Sequence, residues 1–181
     1  IGIFGRVRHS KGIDILVDAG INLLPNYPEV TIIICGECIP KDYLYKQKMM
    51  DKIKSANLTK RIIFIGKQSF DELPKIFQGM KVVAALSRNE GYGLTPLEGM
   101  ASGAAVITSE EGAWKEIIRG NIDGFCVPAD NLELTELKLE ELISNNDKTK
   151  EMGVNANKNI VENYSIEDEA RKIIEFVESI N

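Results

Sequence analysis

Six short apolar runs alternate with helix-forming segments along this 181-residue chain, and this alternation constrains the fold more than any other feature. The runs are nearly continuous and rich in Ile and Val, which is typical of parallel strands covered on both faces. The predicted strands are Ile1–Phe4, Val30–Cys35, Arg61–Ile65, Val82–Leu86, Ala104–Thr108 and Gly124–Val127.

The segments between and after these runs carry apolar residues at helical spacing or recognisable helix boundaries. The predicted helices are Gly12–Leu24, Asp42–Ala56, Leu73–Phe77, Leu94–Ala101, Ala113–Ile118, Leu132–Ser144, Lys148–Asn163 and Ile166–Ile180. Repeated alternation predicts right-handed βαβ units, and so an α/β fold with a Rossmann-like, doubly wound parallel sheet of about six strands. We expect a single domain over residues 1–181, with a core over 1–145 and a helical tail over 146–181.

Composition excludes several classes of protein. The chain has 22 basic and 27 acidic residues, a net charge of −5, which argues against general nucleic-acid binding. No run approaches the ~18 consecutive apolar residues of a transmembrane helix. Cys35 and Cys38 have the C-x-x-C spacing, but one His and the distant Cys126 do not complete a zinc site. We therefore expect free thiols in a reduced, cytoplasmic setting and no metal.

A basic loop, Gly5–Gly12, follows the first predicted strand. Arg6 offers a planar fork of donors and Lys11 a flexible point charge, and together they suit a diphosphate. The spacing matches neither a Walker loop nor G-x-G-x-x-G, so a nicotinamide or flavin site is not expected. A solvated loop without a ligand is the alternative.

A motif with two glutamates, Glu90–Glu98, follows the fourth predicted strand. Glu90 is placed to accept hydrogen bonds from sugar hydroxyls, and the glycines at 91 and 93 permit a tight turn. The amides of residues 93–95, at the start of the next helix, can converge on phosphate oxygens. Glu98 suits two vicinal hydroxyls, as on a ribose. Taken separately, the glycines are explained more simply by a tight turn, and Glu98 by the favourable interaction of its charge with the helix dipole.

The two motifs together resemble the C-terminal half of retaining nucleotide-sugar glycosyltransferases of the GT-B architecture. The E-x7-E signature of that family falls on Glu90 and Glu98, within the string Ser87–Glu98 that leads into Met100–Gly103. The basic loop, continued through Ile13-Asp14, is similar to that of bacterial lipopolysaccharide-core mannosyltransferases. The similarity extends from Ile1 to about Asn131.

The resemblance implies a role for each matching residue. Arg6 and Lys11 would contact the donor diphosphate and stabilise the leaving group, and Glu90 would hold the transferred sugar. These three are the predicted catalytic residues. The remaining predicted donor-binding residues are Gly5, Gly66, Lys67, Gly91, Tyr92, Gly93, Leu94, Thr95 and Glu98, with the nucleobase near 65–67 and the ribose at Glu98.

The resemblance also implies an activity for the full-length protein. It would transfer a hexose with retention, mannose from GDP-mannose being favoured, to a saccharide or lipid-linked acceptor in envelope polysaccharide or lipopolysaccharide synthesis. Neither metal nor cofactor is expected, and the acceptor domain is expected in an N-terminal half absent here. Such an enzyme would work in the cytoplasm or against the inner face of the membrane. The alternatives are a sugar-nucleotide epimerase of the same architecture and a non-catalytic nucleotide-binding module.

Overall fold

A six-stranded parallel sheet forms the centre of the protein, which we describe over residues 1–180 of a computed structural model. The strands are β1 Gly2–Phe4, β2 Ile32–Cys35, β3 Ile62–Gly66, β4 Val82–Ala85, β5 Ala105–Ser109 and β6 Gly124–Val127. Their order in the sheet is β3-β2-β1-β4-β5-β6, and every neighbouring pair is parallel. The predicted fold class and all six predicted strands are confirmed, with bounds shifted by one or two residues.

Within residues 1–180, eight α-helices flank the sheet or follow it. They are α1 Ile13–Leu23, α2 Tyr43–Ser55, α3 Leu73–Gln78, α4 Thr95–Ala101, α5 Trp114–Ile117, α6 Leu132–Ser144, α7 Asn146–Asn163 and α8 Ile166–Ser179. Helix α7 begins two residues before its predicted start, because the Asn145 side chain accepts a hydrogen bond from the Lys148 amide and so caps the helix.

Two hydrophobic cores cover the two faces of the sheet, and successive strand residues alternate between them. Ile3 and Ala84 belong to one core, whereas Phe4 and Val83 belong to the other. Helices α1 and α6 supply Leu16 and Leu139 to the first core, and α4 and α7 supply Met100 and Ala156 to the second. The predicted helical C-terminal segment is confirmed, and its first helix, α7, packs onto the sheet.

Helix α8 differs from α7 in its exposure. Of its described residues only Asp168 is buried, and its large apolar side chains, among them Ile173 and Phe176, lie in contact with solvent. The prediction that a helical segment ends the chain is thus met most clearly by α8. None of the helices within residues 1–180 combines the length and apolar character needed to cross a membrane.

Gly12 has a positive φ of 63° and lies against the carbonyl oxygen of Leu86. A Cβ there would stand 1.9 Å from that oxygen, whereas Gly66 has a similar φ of 71° and open space around it. We expect Gly12→Ala to lower the free energy of unfolding by about 3 kcal/mol or more. Gly66→Ala should cost only about 1 to 2 kcal/mol of backbone strain. Equal losses in urea denaturation would contradict the close contact.

Candidate functional site

The strand order places the basic loop and the glutamate motif side by side. Strands β1 and β4 are hydrogen-bonded neighbours, with Ile3 opposite Ala84, and both run toward the same edge of the sheet. From β1 the chain continues to β2 and β3 on one side of the sheet, and it then crosses to β4, β5 and β6 on the other side. Ligands of doubly wound sheets bind at the strand pair where this change of direction occurs. Residues that follow β1 and β4 therefore meet at one crevice.

An ion pair joins the two motifs across this crevice. Lys11 Nζ donates a hydrogen bond to Glu90 Oε2 at 2.5 Å, and Ser87 Oγ donates to the same oxygen at 3.3 Å. The side chains of Lys11 and Glu90 are only 23% and 17% exposed. The structure thus brings Lys11 and Glu90 together, while their catalytic roles stay predictions.

The surroundings of Glu90 keep its carboxylate ionised. Burial alone would raise its pKa, but the hydrogen bond and charge of Lys11, with further hydrogen bonds from Ser87 and the Gly91 amide, outweigh that effect. The pKa of Glu90 is accordingly lowered from its ordinary value of 4.5. At neutral pH the group is an acceptor only, as binding of sugar hydroxyls requires.

Beside the ion pair lies a cavity of about 290 Å³ that several predicted residues share. Gly5, Arg6, Lys67, Thr95 and Glu98 line it, together with Phe4, Cys35, Gly36, Glu37, Gln68, Leu73 and Phe77. Cations, a hydroxyl and carboxylates thus face one apolar-walled space. This combination suits a ligand that has both phosphate and hydroxyl groups.

The charged groups of this cavity are free to bind. Arg6 is exposed and has no ion pair within residues 1–180. Glu98 is also exposed as a residue, yet desolvation of its carboxyl group raises its pKa. Within residues 1–180 the two side chains are thus an unpaired cation and an unpaired acceptor that line the same cavity.

A second cavity, of about 470 Å³, adjoins the first and contains Gly66. Gly36, Glu37 and Lys67 line both cavities, so the two spaces are continuous along the ends of β2 and β3. The residues predicted to lie near a nucleobase are therefore placed beside those predicted to lie near a ribose and a diphosphate.

The first five residues of the motif, 90–94, are not among the residues that line these two cavities. Tyr92 is 51% exposed and lines a different cavity, against Ile173 and Phe176 of α8. Leu94 is 60% exposed and is the N-cap of α4, without a side-chain hydrogen bond. The structure thus places Tyr92 apart from Arg6 and Thr95, because the turn at Gly91 and Gly93 directs its ring outward.

Trp114 packs against the glycine turn and stabilises it. It is 1% exposed, and its Nε1 donates to the Gly93 carbonyl oxygen at 3.0 Å. Gly93 has a φ of 65°, and a Cβ there would lie 2.7 Å from both the Trp114 ring and Glu90 Cγ. A larger residue would therefore displace Glu90. Trp114 therefore has a packing role at the start of α5.

Sequence reasoning missed the groups that fix the basic loop. Arg88 contacts the loop and Asp14 of α1, although it lies 74 residues from Asp14 in the chain. Arg88 stands beside Glu90 in the motif, but nothing in the local pattern identifies its partners. His9, the histidine of the basic loop, is exposed and sets its ring edge-on to Tyr45, with centroids 5.9 Å apart.

Residues 1–180 show no group of three or more His, Cys, Asp or Glu side chains arranged to hold a metal ion. All three cysteines are free. Burial raises the pKa of each thiol, so none is activated as a thiolate. Independence from metal remains a prediction about the reaction.

The Lys11–Glu90 pair predicts a pH-dependent contribution to stability. Because the pKa of Glu90 is lower in the folded state, its stabilisation is complete above 4.5 and is lost as the pH falls through the folded pKa. We expect Glu90→Gln to lower the free energy of unfolding by about 1 kcal/mol at pH 7, and the difference from the parent to shrink as the pH falls below 4.5 through the lowered folded-state pKa of Glu90. Glu162→Gln is the control, since Glu162 stands 3.9 Å from Lys158 with both side chains mostly exposed. A constant difference from pH 7 to pH 3 would contradict the assignment.

The chain is similar to known proteins over nearly its whole length. The lipopolysaccharide core biosynthesis mannosyltransferase LpsB of Rhizobium meliloti (strain 1021) is 32% identical over 99% of this chain and 51% of its own length. LpcC of Rhizobium leguminosarum bv. viciae, described in the same words, is 36% identical over 96% of this chain and 49% of its own. The chain thus spans about half the length of these curated relatives.

Solved structures show the same fold. The C-terminal domain of a glycosyl transferase group 1 family protein (LpcC) from Francisella tularensis superposes with a TM-score of 0.87 at 37% identity, covering 91% of this chain and 85% of that one. Anabaena Alr3699/HepE in complex with UDP gives a TM-score of 0.89 at 23% identity, covering 98% of this chain and 48% of that one. At that identity the second comparison speaks for the fold alone.

A family model described as Glycosyl transferases group 1 matches residues 1–159, which include both motifs and the whole sheet. The chain belongs to the glycosyl transferases group 1 family.

Proposed function

We propose that this chain is the donor-binding domain of a retaining mannosyltransferase that uses GDP-mannose in envelope polysaccharide or lipopolysaccharide synthesis. The observation that carries the proposal is the Lys11–Glu90 pair at the crevice between β1 and β4, next to the cavity lined by Arg6 and Glu98. The Rhizobium relatives are named as mannosyltransferases, which favours mannose as the sugar. Acceptor recognition and transfer would need parts beyond this chain, which spans half of those relatives.

On donor binding, Lys11 and Glu90 would exchange each other for groups of the donor. An incoming diphosphate competes with Glu90 for Lys11, and Arg6 adds a second cation that has no ion-pair partner within residues 1–180 to give up. Glu90 is then free to accept hydrogen bonds from the hydroxyls of the sugar. Binding of the phosphates and of the sugar is coupled through one ion pair.

Transfer would break the bond between the sugar C1 and an oxygen of the β-phosphate, form a bond from C1 to the oxygen of an acceptor hydroxyl, and pass the proton of that hydroxyl to the departing diphosphate. The electron pair leaves with the diphosphate, whose negative charge therefore grows. Fixed cations aimed at that charge lower the barrier more than they stabilise the bound donor. Arg6 and Lys11 would do this without a metal, and Glu98 would fix the ribose. The whole enzyme would act in the cytoplasm, at or near the inner membrane face.

Glu37 favours guanine as the base. It lines both cavities beside Lys67, and its carboxylate has no ion pair within residues 1–180. A carboxylate accepts hydrogen bonds only, and guanine presents two donors side by side, the ring N1–H and the exocyclic N2–H₂. Uracil presents a single ring donor. We place the guanine edge at Glu37.

Nucleotide binding by this chain tests the proposed function. We expect calorimetry to detect GDP at sub-millimolar affinity, with UDP and ADP weaker. Lys11→Ala should weaken GDP binding by about tenfold to a hundredfold, since charge-assisted hydrogen bonds to phosphate are lost. Lys150→Ala, an exposed change on α7, is the control. The absence of binding to all three nucleotides at millimolar concentration would contradict the proposal and favour an interaction module.

Substitution of Glu37 tests the identity of the base. Glu37→Gln replaces one acceptor oxygen by a donor, so we expect GDP affinity to fall about tenfold and UDP affinity to change by less than about twofold. Glu151→Gln, on the exposed face of α7, makes the same change of charge away from the site. Retention of full GDP affinity by Glu37→Gln would show that another group reads the base.

A further inference from the structure

Arg88 joins three segments of the chain next to the candidate site. Its guanidinium donates to both carboxylate oxygens of Asp14 on α1, at 2.9 and 2.8 Å, and its Nε donates to Asp130 at 2.6 Å. Its Nη1 also donates to the backbone oxygen of His9, in the basic loop, at 2.5 Å. One side chain thus connects the basic loop, the first helix and the segment after β6.

The bonds between Arg88 and Asp14 are partly shielded from bulk solvent. The side chains of Arg88 and Asp14 are 16% and 25% exposed. Burial acts to raise the pKa of Asp14, but the hydrogen bonds from Arg88 and Tyr45 outweigh it and leave that pKa lowered. Tyr45 donates to Asp14 Oδ1 at 2.7 Å and accepts from the Asp14 amide at 3.0 Å. Asp14 is therefore held from two sides and gives Arg88 a fixed anchor.

The basic loop depends on this anchor because its own polar groups are incompletely satisfied. Ser10 Oγ and Arg8 Nε are buried without a hydrogen-bond partner in the described residues. The Arg88 amide donates to the Ser10 carbonyl oxygen at 2.9 Å, and the Arg88 side chain to His9. Lys11 follows directly in the chain and pairs with Glu90, two residues after Arg88.

We propose that Arg88 is a positioning residue that holds the basic loop so that the Lys11 ammonium faces Glu90 and the donor diphosphate. The inference rests on the proposed function. Arg88 itself is turned toward Asp14, His9 and Asp130, so it acts on the donor through Lys11. The role requires a fork of several donors with fixed geometry, which a lysine does not have.

A double-mutant cycle separates positioning from general support of the fold. GDP and UDP binding is measured by calorimetry for the parent, Arg88→Met, Lys11→Ala and the double variant. We expect Arg88→Met alone to weaken binding by tenfold or more, because small misplacements of a binding group are costly. In the Lys11→Ala background the same change should cost less than about threefold, since the group being positioned is gone.

Controls distinguish loss of geometry from loss of charge or stability. Arg88→Lys keeps the charge and should bind nucleotide almost as weakly as Arg88→Met. Arg119→Met breaks a comparable bond, Arg119 Nε to Asp123 at 2.7 Å, near the start of β6 and away from the site. It should lower the melting temperature and leave nucleotide affinity unchanged. Asp14→Asn repeats the cycle if Arg88→Met does not fold.

The outcomes are distinguishable. A parent protein that binds neither nucleotide overturns the proposed function, and this inference with it. A parent that binds, with additive losses from Arg88→Met and Lys11→Ala, overturns the positioning role alone. Parent-like affinity in Arg88→Lys does the same, because charge without the fork would then suffice.

Discussion

The position of β1 between β2 and β4 is the constraint on which the rest of the site depends. After β1 the chain passes into α1, whose Leu16 lies in one core, and after β4 it passes into α4, whose Met100 lies in the other. Two neighbouring strands thus send their helices to opposite faces of the sheet. The loops that leave them diverge, and the space between is the crevice in which Lys11 meets Glu90.

The ion pair in this crevice is a compromise between stability and binding. Without Glu90, the Lys11 ammonium would be partly desolvated with no opposite charge beside it. The Glu90 carboxylate offsets that desolvation cost. The same contact means that an anion must displace a partner before it engages Lys11. A diphosphate brings more charge than one carboxylate, so the exchange favours ligands of this kind over weaker anions. Under the proposed function, the pair would therefore contribute selectivity as well as stability.

Most of the fold could be predicted from the sequence because buried strands and amphipathic helices have distinct periods. The meeting of Lys11 and Glu90 was also predictable, since parallel strands end at a common edge. The partners of Arg88 were not, because many acidic residues are available and only the packing of α1 and of the segment after β6 selects Asp14 and Asp130. The orientation of Tyr92 depends likewise on tertiary structure, through the turn at Gly93 that Trp114 supports.

Arg88 and Trp114 stabilise the two sides of the crevice by different interactions, and neither residue lines the cavity. Arg88 uses charged hydrogen bonds to fix the basic loop, whereas Trp114 uses packing and one hydrogen bond to fix the glycine turn. Because these interactions do not depend on Glu37, Lys67 or Gln68, those cavity residues can change without loss of the Lys11–Glu90 geometry. Differences in the nucleotide that group 1 glycosyltransferases accept would then arise at the ends of β2 and β3, while the chemistry of the diphosphate stays at the ends of β1 and β4.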